Sequence, residues 1–429
     1  MDTLNARKIF KFWLPLAGTW LMMSLEGPFI AAIIARLVDP KFNLAAYGVA
    51  FSFALIVEAP VIMMMTASTS LVKDYQSLQK LRQYTWMLNG VITIAMLILI
   101  IPKIFFFITI DLIGLPENVA KLTHVATIIL LPWPGAIGFR RFYQGVLIRN
   151  HATRRVAFGT GIRLISMAST ALGLFVFTKL PGVYIGTAAL SAGVTVEAIS
   201  TRIMVGKILG RIKAAPDIRA EKEVPLTFKF INKFYYPLAL TSMLTLGVHP
   251  LITFFIGKSH MALESLAVLP VVSSFVFLFR GIGLSFQEAA ITMLGSNKAN
   301  DRVIYKFATA LGATLAAALI ITAITPLAQL WFSKVSGLSV ELTGLALTPL
   351  LIMGLFPAST VLISMQRAIL VKAGKTSLIT NATIIEVLTI ISVLYIGIIH
   401  LSAIGVVAAA SAFLSGRLAA NTYLYFKTH

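Results

Sequence analysis

The sequence predicts an all-α polytopic membrane protein with twelve transmembrane helices arranged in two pseudo-symmetric six-helix bundles. The mean hydropathy is +0.89, and only 12% of the residues are charged. Apolar runs of roughly 20 residues or more follow one another with short basic gaps, and each run can cross the hydrocarbon core, about 30 Å thick, as a helix. The runs lack the period-two alternation of a membrane β-barrel, which excludes that class.

The second observation behind this fold class is an internal duplication. The stretch 11–17, KFWLPLA, returns at 233–239 as KFYYPLA. Three residue pairs share one spacing of 222 positions: Pro15 with Pro237, Pro28 with Pro250, and Gln144 with Gln366. Duplicated halves in a membrane protein are typical of transporters, whose binding site lies between the repeats.

Taken in order along the chain, twelve apolar stretches are predicted to be spans. Their approximate limits are 9–37, 44–72, 83–110, 119–148, 153–179, 182–208, 226–256, 262–292, 301–332, 339–371, 375–399 and 402–427. The prolines shared by the first and seventh spans, Pro15 with Pro237 and Pro28 with Pro250, remove internal hydrogen bonds. We therefore expect these two spans to bend as the protein switches between its two access states.

The gaps between the spans predict the orientation and the domain limits. Basic residues are concentrated before the first span and after the even-numbered spans, so both termini are predicted to be cytoplasmic in a cell (inner) membrane protein. The longest polar connection is 209–225, which predicts one bundle at 1–208 and another at 226–429. Because six spans per half is an even number, the two halves are expected to be parallel repeats.

The net charge of +20 has two interpretations. Basic cytoplasmic gaps explain most of the excess, and an anionic substrate or anionic lipid surface is the alternative. The chain has no cysteine, and its six histidines lack metal-ligand spacing, so we expect no metal and no cofactor. The stretch Gly374-Lys375-Thr376 lacks the glycine of a phosphate-binding loop, because Ile369 stands there. We expect no enzyme and no nucleic-acid partner.

Ionisable residues inside the spans are the candidate functional groups, because each costs roughly 2.5–3.5 kcal/mol at a helix centre. Toward the inner helix ends, a long side chain can instead reach the interface, and Arg140, Arg141, Glu288, Arg367 and Arg417 fall there. The full set comprises Glu26, Glu58, Glu197, Glu288, Glu386, Arg140, Arg141, Arg163, Arg280, Arg367 and Arg417.

Three of these charges are harder to explain by position alone: Glu58, Arg163 and Arg280. Aligning the second and eighth spans through Ala46 and Ala267, an offset of 221, places Glu58 opposite Phe279, next to Arg280. Glu58 and Arg280 thus carry opposite charges at nearly equal depth in the membrane. They are either a structural ion pair that bridges the two halves or part of a gate or substrate contact.

Glu26, in the first span, is a further candidate. It is either a proton or cation site, or a carboxylate satisfied locally by Ser24 or Thr19.

Three stretches carry a resemblance to a known family. They are Leu14-Pro15-Leu16 in the first span, LAAYGVAFS at 44–52 with Pro60 beyond it, and YPLAL at 236–240. With twelve spans in two halves, the chain resembles the multidrug and toxic compound extrusion (MATE) transporters and, within their wider group of exporters and flippases, most closely the progressive ankylosis (ANK) family. The resemblance implies two bundles around a central cavity that switch between inward-facing and outward-facing states.

The resemblance also implies a substrate class. Multidrug members export organic cations and use intramembrane carboxylates to couple to protons or sodium ions. The progressive ankylosis family is associated with efflux of small anions such as pyrophosphate, nucleotides or citrate. Since arginine binds carboxylate and phosphate in bidentate fashion, the arginine-rich spans favour the anion.

We therefore expect a monomeric secondary active exporter of a small organic or phosphorylated anion, working by alternating access in the lipid bilayer. The alternatives are a proton- or sodium-coupled antiporter of cationic drugs and a flippase of lipid-linked precursors. The predicted substrate-binding residues are Arg163, Arg280, Arg141 and Arg367. The predicted coupling or gating residues are Glu26, Glu58 and Glu386, with a proton or sodium ion as the coupling ion.

Overall fold

The computed structural model describes residues 5–214, 226–294, 298–373, 375 and 377–428, and these residues are almost entirely helical. No strand is present in this part of the chain. The described residues form eighteen α-helices: α1 Ala6–Ser24, α2 Glu26–Ala35, α3 Pro40–Glu58, α4 Met64–Leu71, α5 Tyr75–Leu99, α6 Pro102–Phe106, α7 Glu117–Ile129, α8 Pro132–Arg149, α9 Thr153–Phe177, α10 Gly182–Ala214, α11 Phe228–Gly257, α12 Ala262–Met293, α13 Lys298–Ile324, α14 Pro326–Leu330, α15 Val340–Ile352, α16 Phe356–Lys372, α17 Ser377–Leu394 and α18 Gly405–Thr428.

The described helices confirm the predicted all-α membrane fold. Ten are long and apolar enough to cross a membrane when closely spaced helices are joined, and a bent pair brings the number to eleven. The twelfth predicted span, 402–427, coincides with α18, which is not among them although it is long enough. Arg417 and Asn421 lower its hydropathy, and both side chains are buried within the fold.

Proline positions explain where the spans break. The predicted span 83–110 is bent, because α5 ends at Leu99 and the helix that begins at Pro102 runs at 72° to it. The first span breaks at Leu25, three residues before Pro28, whose ring nitrogen cannot donate to the carbonyl of Ser24. The equivalent seventh span is one continuous helix, α11, despite its two prolines.

Contacts divide the chain into two compact units that differ from the predicted bundles. Unit 1 comprises 1–48 and 251–429, and unit 2 comprises 49–250. The first span therefore groups with the second half of the sequence, and most of α11 groups with the first half. The bundle limits predicted from the sequence repeat, 1–208 and 226–429, stay a prediction. Of the predicted linker, 209–214 continues α10 and 215–225 lies outside the described residues.

The packing of each unit accounts for this grouping. In unit 1, the apolar face of α1 packs against α12, α13 and α16 through Ile9, Trp13 and Ala17, and the Trp13 indole donates to Ser285 Oγ at 2.8 Å. In unit 2, α11 contributes Ile231 and Tyr235 to a core with α4, α5, α8 and α10. The Tyr235 hydroxyl donates to the Pro60 carbonyl at 2.6 Å.

Candidate functional site

The first group of buried charges lies in unit 2 around Glu197, and we call it the Glu197 cluster: Glu197, Arg140, Arg163 and Gln144. All four side chains are buried. Arg140 forms an ion pair with Glu197 through Nη1, and Gln144 Nε2 donates to the other carboxylate oxygen at 3.1 Å. Arg163 Nε lies 3.7 Å from Glu197 Oε2. One carboxylate is therefore shared by two guanidinium groups.

Helix geometry explains how this cluster forms. Arg140 and Gln144 are four residues apart on α8, so their side chains share one face of the helix. Arg163 is on α9 and Glu197 is on α10, and these two helices pack closely where α10 carries Gly193. A Cβ at Gly193 would lie 3.1 Å from the Arg163 carbonyl oxygen, so a glycine favours the approach that brings Arg163 to Glu197.

Glu58 lies in the same unit but has a different partner. The Trp133 indole donates to Glu58 Oε2 at 2.5 Å, and both residues are buried. Arg140, Arg141 and Arg163 all lie within electrostatic range of this carboxylate. Arg141 contacts the Met65 sulfur at 3.7 Å, and its buried Nε has no hydrogen-bond partner. Unit 2 thus surrounds two carboxylates with three arginines.

The second group lies in unit 1, and we call it the Arg280 cluster: Arg280, Arg367, Arg417, Glu386 and Phe356. Arg417 binds Glu386 Oε1 with two nitrogen atoms, Nε at 2.9 Å and Nη2 at 2.8 Å. The neighbouring Gly416 lets α18 approach α17, because a Cβ there would lie 2.8 Å from the Glu386 carbonyl oxygen. The ion pair between α17 and α18 therefore depends on a small residue beside it.

Arg280 and Arg367 are the arginines of this cluster without a carboxylate partner. Arg280 Cζ lies 5.3 Å from the ring centroid of Phe356 and 5.6 Å from that of Phe277. The Nε atoms of Arg280 and Arg367 are buried, and neither has a hydrogen-bond partner among the described residues. Arg417, Glu386 and Arg367 lie within electrostatic range of Arg280. Three arginines and one carboxylate leave the cluster with an excess of two positive charges.

Glu26, the remaining predicted coupling residue, is in unit 1 at the start of α2. Tyr47 lies within electrostatic range of it. The suggested local hydroxyls are used elsewhere, because Ser24 donates to the Leu21 carbonyl at 2.8 Å and Thr19 donates to the Pro15 carbonyl at 3.2 Å. The hydroxyl protons of Ser24 and Thr19 are therefore engaged by backbone carbonyl groups.

The structure brings the predicted site residues together in two sets. Arg163, Arg141 and Glu58 lie in unit 2, whereas Arg280, Arg367 and Glu386 lie in unit 1. Sequence reasoning missed the aromatic partners Trp133 and Phe356, because nothing in their sequence surroundings distinguishes them from ordinary core residues. The pairing of Glu386 with Arg417 was also missed. The two residues are 31 positions apart, and only the packing of two helices places them side by side.

Comparison with known proteins identifies the fold. No family model matches the chain, and no curated protein matches it either. Solved structures do match. An inward-facing multidrug resistance MATE family transporter of the MOP superfamily has a TM-score of 0.73 and 15% sequence identity, with 96% of this chain and 93% of that chain covered. This is a MATE transporter fold.

Two further matches show which other proteins share this fold. The lipid II flippase MurJ in an inward closed conformation has a TM-score of 0.71 at 16% identity, over 96% of this chain and 87% of that chain. The eukaryotic MATE transporter AtDTX14 has a TM-score of 0.59 at 12% identity, over 98% and 96%. The MATE-like fold is therefore shared with proteins of different substrates, and the fold alone does not select a substrate for this chain.

Proposed function

We propose that this multi-pass membrane protein is a secondary active transporter that exports a small organic or phosphorylated anion by alternating access. Pyrophosphate, a nucleotide and citrate represent the substrate class. The protein performs no covalent chemistry and needs no cofactor beyond a coupling proton or sodium ion. The proposal includes placement in the progressive ankylosis family and a monomer in the inner membrane with cytoplasmic termini.

One observation supports an anionic substrate: the buried guanidinium groups outnumber the carboxylates that face them. In unit 1, Arg280 and Arg367 have no carboxylate partner among the described residues. An uncompensated charge within a membrane-spanning helix is costly, so such a group normally faces a partner or a wet cavity. A transported anion would supply the missing negative charge and accept hydrogen bonds from the planar guanidinium donors.

The fold comparison supports transport as the general activity. The matched structures include MATE transporters described in inward-facing and outward-facing conformations, and a flippase described as acting on lipid II. The same fold thus occurs in proteins described as transporters and in a flippase. A lipid-linked diphosphate is the second candidate substrate, since its diphosphate would suit the same arginines.

Flux in proteoliposomes tests this proposal. One set of vesicles is loaded with labelled citrate, pyrophosphate or ATP, a second with a cationic dye, and a third carries a labelled lipid-linked diphosphate, each under imposed proton and sodium gradients. Protein-dependent efflux of a soluble anion supports the proposal. Movement of the dye alone, abolished by Glu26→Gln, would overturn it in favour of drug antiport, and movement of the lipid alone would overturn it in favour of flipping.

A further inference from the structure

Phe356 is the aromatic centre of the Arg280 cluster. Its ring is 1% exposed, and two guanidinium groups lie against it, with Arg417 Cζ at 5.1 Å and Arg280 Cζ at 5.3 Å from the ring centroid. Aromatic rings attract guanidinium groups electrostatically at such distances, most strongly when water is excluded. Phe356 therefore contributes to the position of both arginines.

The backbone around Phe356 is held in place. Phe356 is the first residue of α16, after a short 3₁₀ turn at 353–355 and directly before Pro357. Its carbonyl accepts hydrogen bonds from Ser359 Oγ at 2.7 Å and Thr360 Oγ1 at 2.8 Å. The ring also packs against Phe413, with centroids 6.3 Å apart. A buried side chain on such a backbone has little freedom to move away from the arginines.

The two arginines beside this ring differ in how their N–H groups are used. Arg417 donates to Glu386, so its charge is compensated and its donors are engaged. Arg280 lies against the rings of Phe356 and Phe277, and its buried Nε has no hydrogen-bond partner among the described residues. An aromatic ring stabilises a guanidinium without neutralising its charge and without accepting its in-plane N–H groups in strong hydrogen bonds.

We propose that Phe356 is a positioning residue that holds Arg280 ready for an anion carrying two oxyanion groups, the second of which binds Arg367. This inference rests on the proposed transport function and deepens it. Two groups are required because Glu386 compensates one of three arginines, which leaves two positive charges for the ligand. Carboxylate or phosphoryl oxygens satisfy this requirement, since each accepts paired N–H groups from a guanidinium.

Fluorination of the Phe356 ring tests the role of its π-system. Mono-, tri- and pentafluorophenylalanine incorporated at position 356 weaken cation binding stepwise and change the shape of the side chain little. We expect KM for labelled citrate efflux to rise stepwise, by about tenfold at pentafluoro substitution, with kcat nearly unchanged. Phe356→Leu, which removes the aromatic ring, should raise KM similarly. Phe356→Trp, which keeps an aromatic ring, should leave KM near the wild-type value.

The same series at Phe286 is the matched control. Phe286 is fully buried in unit 1 and stacks on Phe307 at 5.8 Å, with no guanidinium among its described contacts. Its fluorination should leave KM unchanged. An unchanged KM in the Phe356 series, while the wild-type protein transports citrate, would overturn the positioning role and leave the proposed function standing.

A pair of competitors tests the requirement for two oxyanion groups. Succinate and its monoamide, succinamate, have nearly the same size but differ by one carboxylate. We expect succinate to inhibit citrate efflux at a concentration at least about tenfold lower than succinamate. Equal inhibition by both compounds would overturn this requirement. If wild-type protein moves no soluble anion at all, the proposed function fails and this inference fails with it.

Discussion

Glu58 and Arg280 lie 222 residues apart, which is the spacing of the duplicated prolines, and each contacts an aromatic side chain in the fourth span of its half. Glu58 accepts a hydrogen bond from the Trp133 indole, and Arg280 lies against the Phe356 ring. Trp133 and Phe356 occupy nearly equivalent places at the start of α8 and α16. The two halves thus share one arrangement, with the sign of the charge inverted.

The ion pairs between the fifth and sixth spans show a similar inversion. In the first half, Arg163 on α9 lies near Glu197 on α10, whereas in the second half Glu386 on α17 binds Arg417 on α18. The basic residue has therefore moved from the fifth span to the sixth. This inversion is consistent with divergence of the two halves after duplication. It keeps one carboxylate in each half, so the smaller number of carboxylates in the Arg280 cluster comes from Arg280 standing at the place of Glu58.

Glu197→Gln should destabilise the fold strongly. The substitution leaves Arg140 and Arg163 buried without a charged partner, and breaking a buried ion pair in this way costs about 3–5 kcal/mol. Thermal unfolding in detergent measures the effect. Glu117→Gln is the control, because its ion pair with Lys121 is exposed and should contribute little. Equal unfolding temperatures for both variants would contradict the role assigned to Glu197.

Glu386 and Arg417 should be energetically coupled. Each single substitution, Glu386→Gln or Arg417→Gln, leaves one buried charge without its direct ion-pair partner, whereas the double substitution removes both charges. We expect a double-mutant cycle on unfolding to give a coupling of about 1–3 kcal/mol. Purely additive effects would show that the two side chains do not interact in the folded protein.

Gly416→Ala should destabilise the fold by about 1–3 kcal/mol. The added Cβ would lie 2.6 Å from an Ile390 side-chain carbon and 2.8 Å from the Glu386 carbonyl oxygen, so α17 and α18 must separate. Gly173→Ala is the matched control, because no atom lies within 4 Å of a Cβ at that helical position. The control should be neutral or stabilising by about 0.5–1 kcal/mol, and the reverse order of stabilities would contradict the close packing.

The membrane fold was predictable from sequence, because hydropathy is a strong signal, and the charged residues within the spans could be read directly as candidates. The alignment offset of 221 placed Glu58 opposite Phe279, and the proline spacing of 222 places it opposite Arg280. The ion-pair partners of the charged residues were not predictable from the sequence. Arg140 and Arg417 were expected to reach toward the interface, but both are buried in ion pairs, because neighbouring helices offer carboxylates at the right depth.

The grouping of the helices was also beyond sequence reasoning. The duplication at 222 residues predicts two contiguous halves, whereas Trp13 packs with Ser285 and Tyr235 packs with Pro60. Both aromatic residues pair with groups more than 170 positions away. A repeat in the sequence defines which helices are related, but it does not define which helices touch.

Efflux from proteoliposomes containing Arg280→Gln tests most directly the claim that buried, uncompensated arginines bind a transported anion. We expect labelled citrate efflux to fall by about 10–100-fold, because a charge-assisted contact contributes about 1.5–3 kcal/mol. Arg154→Gln, which changes an exposed arginine at the start of α9, should retain wild-type efflux. Full efflux in Arg280→Gln, at an unchanged unfolding temperature, would contradict the claim.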